Sequence, residues 1–148
     1  MDVLAVLRKV ELFDGLTADE LKQVAAICIE HEYSAGQTIS SQGDLGGELY
    51  VICDGLVEVQ LVGPSQNPSP RAVVNLGRGQ LFGEMALVDF GPRSATGKAV
   101  SARTIVQAID REAFTRLCDS NYHLGYTVMR NMAADLSFKL RHWHLAGR

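Results

Sequence analysis

The sequence has little positive charge and no long apolar run. Its 148 residues contain 14 Lys and Arg against 17 Asp and Glu, which gives a net charge of -3. A pI near 5.8 lacks the basic footprint of a nucleic-acid-binding domain. No apolar run approaches the roughly 20 residues needed to cross a bilayer. We therefore expect neither direct nucleic-acid binding nor a membrane span.

Cysteine is also scarce, and the N-terminus lacks a targeting pattern. Cys28, Cys53 and Cys118 are scattered and form no CxxC pair, which is typical of reduced thiols in a cytosolic protein. Asp2 stands where a secretory signal peptide needs positive charge. These features predict a cytoplasmic protein.

Motifs of catalysis are missing as well. The sequence has no Walker loop, no nucleophile elbow and no metal-ligand spacing. His142 and His144 are two positions apart in a predicted helix, so they point to different sides of it and make a poor metal pair. We expect a protein that is not an enzyme and has neither metal nor cofactor.

The residues that are present predict one α+β domain over 1–148. Hydrophobic residues make up 47% and charged residues 21%, as in ordinary globular domains. Helices are predicted over about 2–32, where Thr17 and Glu20 have the spacing of a capping box. Cys28 is expected in this helical run as a small buried side chain.

The glycine-rich middle, about 36–109, predicts a mostly-β sandwich or barrel of short strands. Asp54 and Gly55 separate two apolar runs, a pattern typical of a tight hairpin with positive φ at both turn residues. C-terminal helices are predicted over about 110–145. Asp110 is the expected cap of the first, and a second begins near Gly125 with an apolar stripe at Val128, Met132, Leu136 and Leu140.

The segment 82–96 carries the most chemistry. Gly83 follows an apolar pair, and Glu84 begins about one turn of good helix formers. Arg93 follows a Gly-Pro break and is a permanently charged donor suited to phosphate. A carboxylate cannot serve a phosphate, but it accepts hydrogen bonds from a ribose hydroxyl in other nucleotide sites. The combination predicts a ribose-phosphate ligand; the alternative is a structural Glu84–Arg93 ion pair without a ligand.

This segment resembles the phosphate-binding cassette of the cyclic nucleotide-binding domain family. The matching residues are Phe82-Gly83-Glu84-Met85-Ala86-Leu87 and Pro92-Arg93-Ser94-Ala95-Thr96, and a second family pattern lies upstream at Gly43, Asp44, Gly46, Tyr50, Ile52, Gly55, Val57 and Val59. The resemblance covers nearly the whole chain. It implies an eight-stranded jelly roll with helices at both ends, in agreement with the pattern of the residues.

The resemblance also implies roles for individual residues. Glu84 would bind the ribose 2′-hydroxyl, Arg93 the cyclic phosphate, and the amides of Gly83, Ser94 and Ala95 the sugar or phosphate. The ligand set also includes Met85, and the Ser94 hydroxyl is a further phosphate contact. A side chain of the last helix would cover the base; the candidates for this lid are Leu136, Leu140 and Trp143. Gly43, Gly46, Gly47 and Gly55 are interpreted as turn glycines without a ligand role.

The implied function is a sensor module whose lid helix responds to a cyclic nucleotide. In the family, threonine after the arginine often favours cGMP and alanine favours cAMP; Ser94 lies between them, and bacterial cAMP receptors carry serine, so cAMP is the expected ligand ahead of cGMP. One alternative is a ligand-free interaction or dimerisation module. Another is the regulatory piece of a larger transcription factor, channel, kinase or transporter. The expected partner is a second copy through the C-terminal helix or an unidentified effector.

Overall fold

Helices flank a set of short strands. The computed structural model describes residues 2–62, 71–89 and 91–146. Within these ranges the helices are α1 (Val3–Leu7), α2 (Ala18–Ala26), α3 (Arg111–Ser120) and α4 (Tyr122–Ala146), with short 3-10 helices at Glu11–Phe13 and Glu84–Leu87. The strands are β1 (Cys28–Tyr33), β2 (Thr38–Ser40), β3 (Glu48–Asp54), β4 (Val57–Leu61), β5 (Arg71–Leu76), β6 (Leu81–Phe82), β7 (Thr96–Ala99) and β8 (Thr104–Asp110).

The described strands form two four-stranded antiparallel sheets. Their orders are β1-β8-β3-β6 and β2-β7-β4-β5. Apolar side chains of β3 and β8 are buried along nearly their whole length, because these are the inner strands of the first sheet. The predicted α+β class, with a jelly roll of eight strands between N-terminal and C-terminal helices, is confirmed. The single-domain assignment for 1–148 stays a prediction.

The predicted hairpin at Asp54 and Gly55 is wrong. β3 pairs with β8 and β6, whereas β4 pairs with β7 and β5, so the chain passes here from one sheet to the other. Both edges of β3 are already hydrogen-bonded, and no edge remains for β4. Gly55 has φ +83°, and no described residue other than glycine has a positive φ, which excludes a turn with two positive φ values.

The boundary between the N-terminal helices and the first strand also differs from the prediction. Helix α2 ends at Ala26, and Cys28 starts a strand that pairs with β8 from Cys28–Ile109 to Tyr33–Thr104. The strands therefore begin at residue 28 and not near 36, and Cys28 is not helical. Pairing with a buried strand outweighs the local helical pattern here. Burial raises the pKa of the Cys28 thiol to about 12, so it is not a reactive thiolate at neutral pH.

The helix caps follow the sequence closely. Thr17 and Glu20 form the predicted capping box, with both reciprocal hydrogen bonds present. The Asp110 carboxylate accepts a hydrogen bond from the Ala113 amide at 3.0 Å and starts α3. Helix α4 begins at Tyr122 and not near Gly125, because the Asn121 side-chain oxygen accepts from the Leu124 amide.

Helix α4 packs against α3 and the 3-10 helix at Glu11–Phe13. Leu124, Val128 and Met132 are buried in the main core, and Leu136 packs against it from the side. Leu140, the last member of the predicted stripe, is 65% exposed. The stripe therefore contacts the core over its first three members only. Among the described residues, no helix combines the length and the apolar character that crossing a membrane requires.

We expect Gly55→Ala to destabilise the fold more than Gly36→Ala. Both glycines have positive φ, which costs a residue with Cβ about 1–2 kcal/mol. A Cβ at Gly36 would meet nothing within 4 Å, whereas one at Gly55 would lie 2.6 Å from the Arg103 carbonyl oxygen. Urea unfolding of both variants measures the difference. Equal free energies of unfolding would contradict the close approach of Gly55 to Arg103, where the chain passes between the sheets.

Candidate functional site

A cavity of about 190 Å³ opens between the 3-10 helix at Glu84–Leu87 and strand β7. The six residues that the sequence singled out for ligand contact all line it: Gly83, Glu84, Met85, Arg93, Ser94 and Ala95. Strand β6, the loop after the 3-10 helix and the start of β7 bring them together. Their clustering is a structural fact, while their roles toward a ligand stay predictions.

Gly83 makes the turn that places Glu84 at the cavity. Strand β6 ends at Phe82, and Gly83 adopts φ +80° before the 3-10 helix begins at Glu84. The Ala86 amide donates to the Gly83 carbonyl at 3.0 Å and closes the turn. A Cβ at Gly83 would also lie 2.5 Å from Arg93 Nη1. The positive φ therefore favours glycine at this position, and a side chain here would displace the Arg93 guanidinium from its place.

The Glu84 carboxylate is partly buried, and burial raises its pKa above the ordinary value. The positive charge of Lys139 on α4 and a hydrogen bond from its own backbone amide lower this pKa, and Asp135 raises it slightly. Lys139 Nζ donates to Asp135 Oδ2 at 2.9 Å. Helix α4 therefore brings a pair of charges close enough to Glu84 to influence it.

Arg93 is held by its backbone and lies in a slot between glycines. Its amide donates to the Asp44 carbonyl at 2.8 Å, and its carbonyl accepts from the Gly43 amide at 2.9 Å. A Cβ at Gly46 would overlap the Arg93 guanidinium. Gly46, interpreted from the sequence as a turn glycine without a ligand role, thus lines the cavity and makes room for Arg93.

Glu84 and Arg93 face the same cavity without pairing. Among the ion pairs of the described residues, none joins these two side chains. The sequence left open a structural Glu84–Arg93 pair, and the structure does not contain it. One acceptor and one cationic donor thus line a single cavity, an arrangement that suits a ligand with both a hydroxyl and an anionic group.

Two of the three lid candidates, Leu136 and Leu140, lie outside the cavity wall. Leu136 packs against the core cluster, and Leu140 is exposed; neither is among the cavity-lining residues. Trp143 belongs to α4, but its side chain lies outside the described residues. A lid role for any of the three stays a prediction. Over the described ranges, no group of three or more His, Cys, Asp or Glu side chains is placed to hold a metal ion.

Sequence reasoning missed four neighbours of the two charged groups. Tyr50 lies under Arg93, Gly46 beside it, and Asp135 and Lys139 influence Glu84 from α4. The i, i+4 spacing of Asp135 and Lys139 shows that they pair, but nothing local shows which part of the strands they approach.

Comparison with known proteins gives consistent matches. The family model described as "Cyclic nucleotide-binding domain" matches residues 30–121. The chain is 35% identical over 130 residues to the cyclic AMP receptor protein of Thermus thermophilus, covering 88% of this chain and 57% of that protein. It is 36% identical over 115 residues to a cAMP-dependent protein kinase regulatory subunit of Mycosarcoma maydis, covering 75% of this chain and 21% of that protein.

A solved structure matches the fold over nearly its full length. The N-terminal domain of a transcriptional regulator from Streptomyces coelicolor superposes with a TM-score of 0.82 at 26% identity, covering 93% of this chain and 94% of that one. The two curated relatives are longer, and the chain covers only 57% and 21% of their lengths.

We expect Glu84→Gln to change the pH dependence of stability. The ordinary pKa is 4.5, and the folded-state pKa is raised, so the folded chain holds the proton more tightly than the unfolded chain. Glu84 therefore lowers the free energy of unfolding as the pH rises from 4.5 through the raised pKa, and the cost is complete above it. Urea unfolding between pH 4 and 7 should show Glu84→Gln gaining stability relative to the wild type as pH rises.

Lys139→Met provides the matched control for this experiment. Removing the lysine charge should steepen the pH dependence in the wild-type background, because Lys139 lowers the pKa of Glu84. It should leave the slope unchanged when Glu84 is already glutamine. The same pH slope in the wild type and in Glu84→Gln would contradict the buried carboxylate.

Proposed function

Because this chain belongs to the cyclic nucleotide-binding domain family, we propose that it is a regulatory sensor module that binds cAMP in the cavity beside Glu84 and Arg93. One observation carries the proposal: Glu84 and Arg93 line a single cavity without pairing with each other. The names of the two curated relatives, a cyclic AMP receptor and a kinase regulatory subunit, support a regulatory and not a catalytic role.

The chemistry of a ribose cyclic phosphate fits these groups. The Arg93 guanidinium donates charge-assisted hydrogen bonds to the phosphate oxygens. The Glu84 carboxylate accepts from the ribose 2′-hydroxyl, and the amides of Gly83, Ser94 and Ala95 donate to sugar or phosphate. Met85 is half-exposed at the mouth and supplies apolar contact. No metal or cofactor takes part in this binding.

The size of the cavity supports the proposal that the base lies on a separate surface. Small-molecule pockets commonly measure roughly 300–1,000 Å³, and this cavity measures about 190 Å³. It encloses the sugar and phosphate, and the purine extends toward α4, where Leu136, Leu140 or Trp143 covers it. A ligand that contacts both the cavity and α4 favours one position of that helix by its differential affinity for the two states.

We favour cAMP over cGMP because serine follows the arginine. Ser94 lines the cavity with an exposed side chain, so its hydroxyl is available to the phosphate or the base. In the full-length protein we propose a cytoplasmic regulatory piece, either alone or joined to a transcription factor, channel, kinase or transporter. The chain itself contacts no nucleic acid in this proposal.

We expect Arg93→Ala to weaken cAMP binding roughly 30-fold to several-thousand-fold. Removing one partner of a buried charge contact costs about 2–5 kcal/mol, and each 1.4 kcal/mol is tenfold in affinity. Titration calorimetry with cAMP and cGMP side by side measures this and the selectivity. Arg116→Ala, an exposed arginine on α3, is the control and should bind like the wild type; equal affinity of Arg93→Ala and wild type would refute the site.

A second candidate function is an interaction module in which α4 contacts a second copy or an effector. Tyr126, Phe138 and Leu140 on α4 are all 60% or more exposed, so this helix offers apolar side chains that a partner could contact. This role is compatible with ligand binding, because a helix that moves in response to a ligand transmits the change only through a protein that it contacts. If the chain is only an interaction module, it binds no cyclic nucleotide.

Sedimentation velocity tests whether α4 contacts a second copy of the chain. If α4 mediates self-association, the wild type should sediment as a dimer at high protein concentration and Leu140→Glu as a monomer. Val74→Glu changes a half-exposed valine on β5 and should leave the dimer intact. A monomeric wild type in the presence and absence of cAMP would contradict self-association through α4.

A further inference from the structure

The Arg93 guanidinium lies over the face of an aromatic ring. Its Cζ is 5.5 Å from the centroid of Tyr50, within the range of a cation–π contact. Tyr50 lies on β3 and is only 6% exposed. The ring thus contacts the guanidinium from the protein side, while the cavity lies on another side of the same group.

The Tyr50 ring is itself fixed from two directions. It stacks on Phe82 with ring centroids 4.9 Å apart and an interplanar angle of 24°, and these two residues are register partners in β3 and β6. Its hydroxyl donates to Glu48 Oε1 at 3.1 Å. Phe82 in turn fills the space over Gly97, where a Cβ would lie 2.7 Å from the ring. The ring therefore has little freedom to move away from Arg93.

The remaining walls of the slot are glycines. Side chains at Gly46 or Gly83 would collide with the guanidinium, so both positions leave the group room beside the ring. Over the described ranges, the salt bridges include none from Arg93 to a carboxylate. The slot orients a cation without a counter-ion.

We propose that Tyr50 is a positioning residue that orients the Arg93 guanidinium for an anionic phosphate while leaving its positive charge unneutralised. The inference rests on the proposed function and adds a residue to it. A carboxylate in this place would also orient the arginine, but it would compete with the phosphate for the same N–H donors. An aromatic face attracts the cation through its quadrupole and leaves the edge donors free.

The ionisation state of Tyr50 agrees with this role. Burial, followed by the nearby Glu48 charge, raises the pKa of the phenol to about 12. The ring is therefore neutral throughout the physiological pH range and acts on Arg93 as an aromatic face.

Two substitutions at position 50 separate the ring from its hydroxyl. Tyr50→Leu removes the aromatic face and should weaken cAMP binding about two- to thirtyfold, the range of a cation–π contact in exposed to desolvated sites. Tyr50→Phe keeps the face and should bind within about twofold of the wild type. Calorimetric titration with cAMP measures both, and circular dichroism checks that each variant is folded. An equal loss in the two variants would overturn the role of the ring.

Repeating Tyr50→Leu in an Arg93→Ala background tests whether the effect acts through Arg93. A positioning residue should have no further effect once the arginine is gone, whereas general damage to the cavity would weaken binding equally in both backgrounds. Competition against a fluorescent cAMP analogue extends the measurement to weak binders. If Arg93→Ala itself leaves affinity unchanged, the proposed function fails; if Arg93 matters but the two backgrounds respond alike, only the role of Tyr50 fails.

Gly46→Ala tests the same slot without touching the aromatic core. Its added Cβ must displace the guanidinium from the ring, so it should weaken cAMP binding in the wild-type background and leave the Arg93→Ala background unchanged. This variant tests whether the position of the guanidinium in the slot matters, even if Tyr50→Leu does not fold. Unchanged affinity of a folded Gly46→Ala would show that Arg93 does not need this position to bind, and would overturn the inference.

Discussion

The site depends on one constraint: the Arg93 guanidinium lies beside a cavity, and no carboxylate of the described residues forms an ion pair with it. The free energy cost of an uncompensated charge in a partly buried place is high, so the protein has to support it in another way. Backbone hydrogen bonds at Asp44 and Gly43 fix the residue, and Tyr50 supports the head group. The result is an electrostatically incomplete site, which the proposed anionic ligand would complete.

Glu84 presents the opposite problem on the same cavity. Its carboxylate loses solvation through burial, and its pKa rises accordingly. The compensation comes partly from Lys139, which lies on the last helix and is already paired with Asp135. A ligand hydroxyl that donates to Glu84 would replace part of the lost solvation. The proposed ligand, with one hydroxyl and one anionic group, would therefore stabilise both charged groups.

Helix α4 connects this site to the rest of the chain. Its first half, through Met132, is buried in the core with the N-terminal helices, and its second half carries the Asp135–Lys139 pair and then exposed apolar residues such as Leu140. The charged residues of α4 that influence Glu84 thus lie near the point where the packing of the helix against the core ends. Segments with few buried contacts are the parts of a fold that open most easily, so this half of the helix is suited to respond.

The sequence by itself determined the caps at Thr17 and Asp110 and an arrangement of helices around short strands, because local spacing and side-chain chemistry carry that information. The eight-stranded jelly roll and the full set of cavity residues followed from the resemblance of the sequence to a known family. Tertiary structure alone decided that β3 and β4 belong to different sheets, that residues 28–33 form a strand, and that Tyr50 lies under Arg93. Pairing partners come from distant parts of the chain: β1 pairs with β8, and both edges of β3 are used by β8 and β6. Which strands pair depends on which strand edges are available in the folded chain, and the local sequence of a strand does not contain this information.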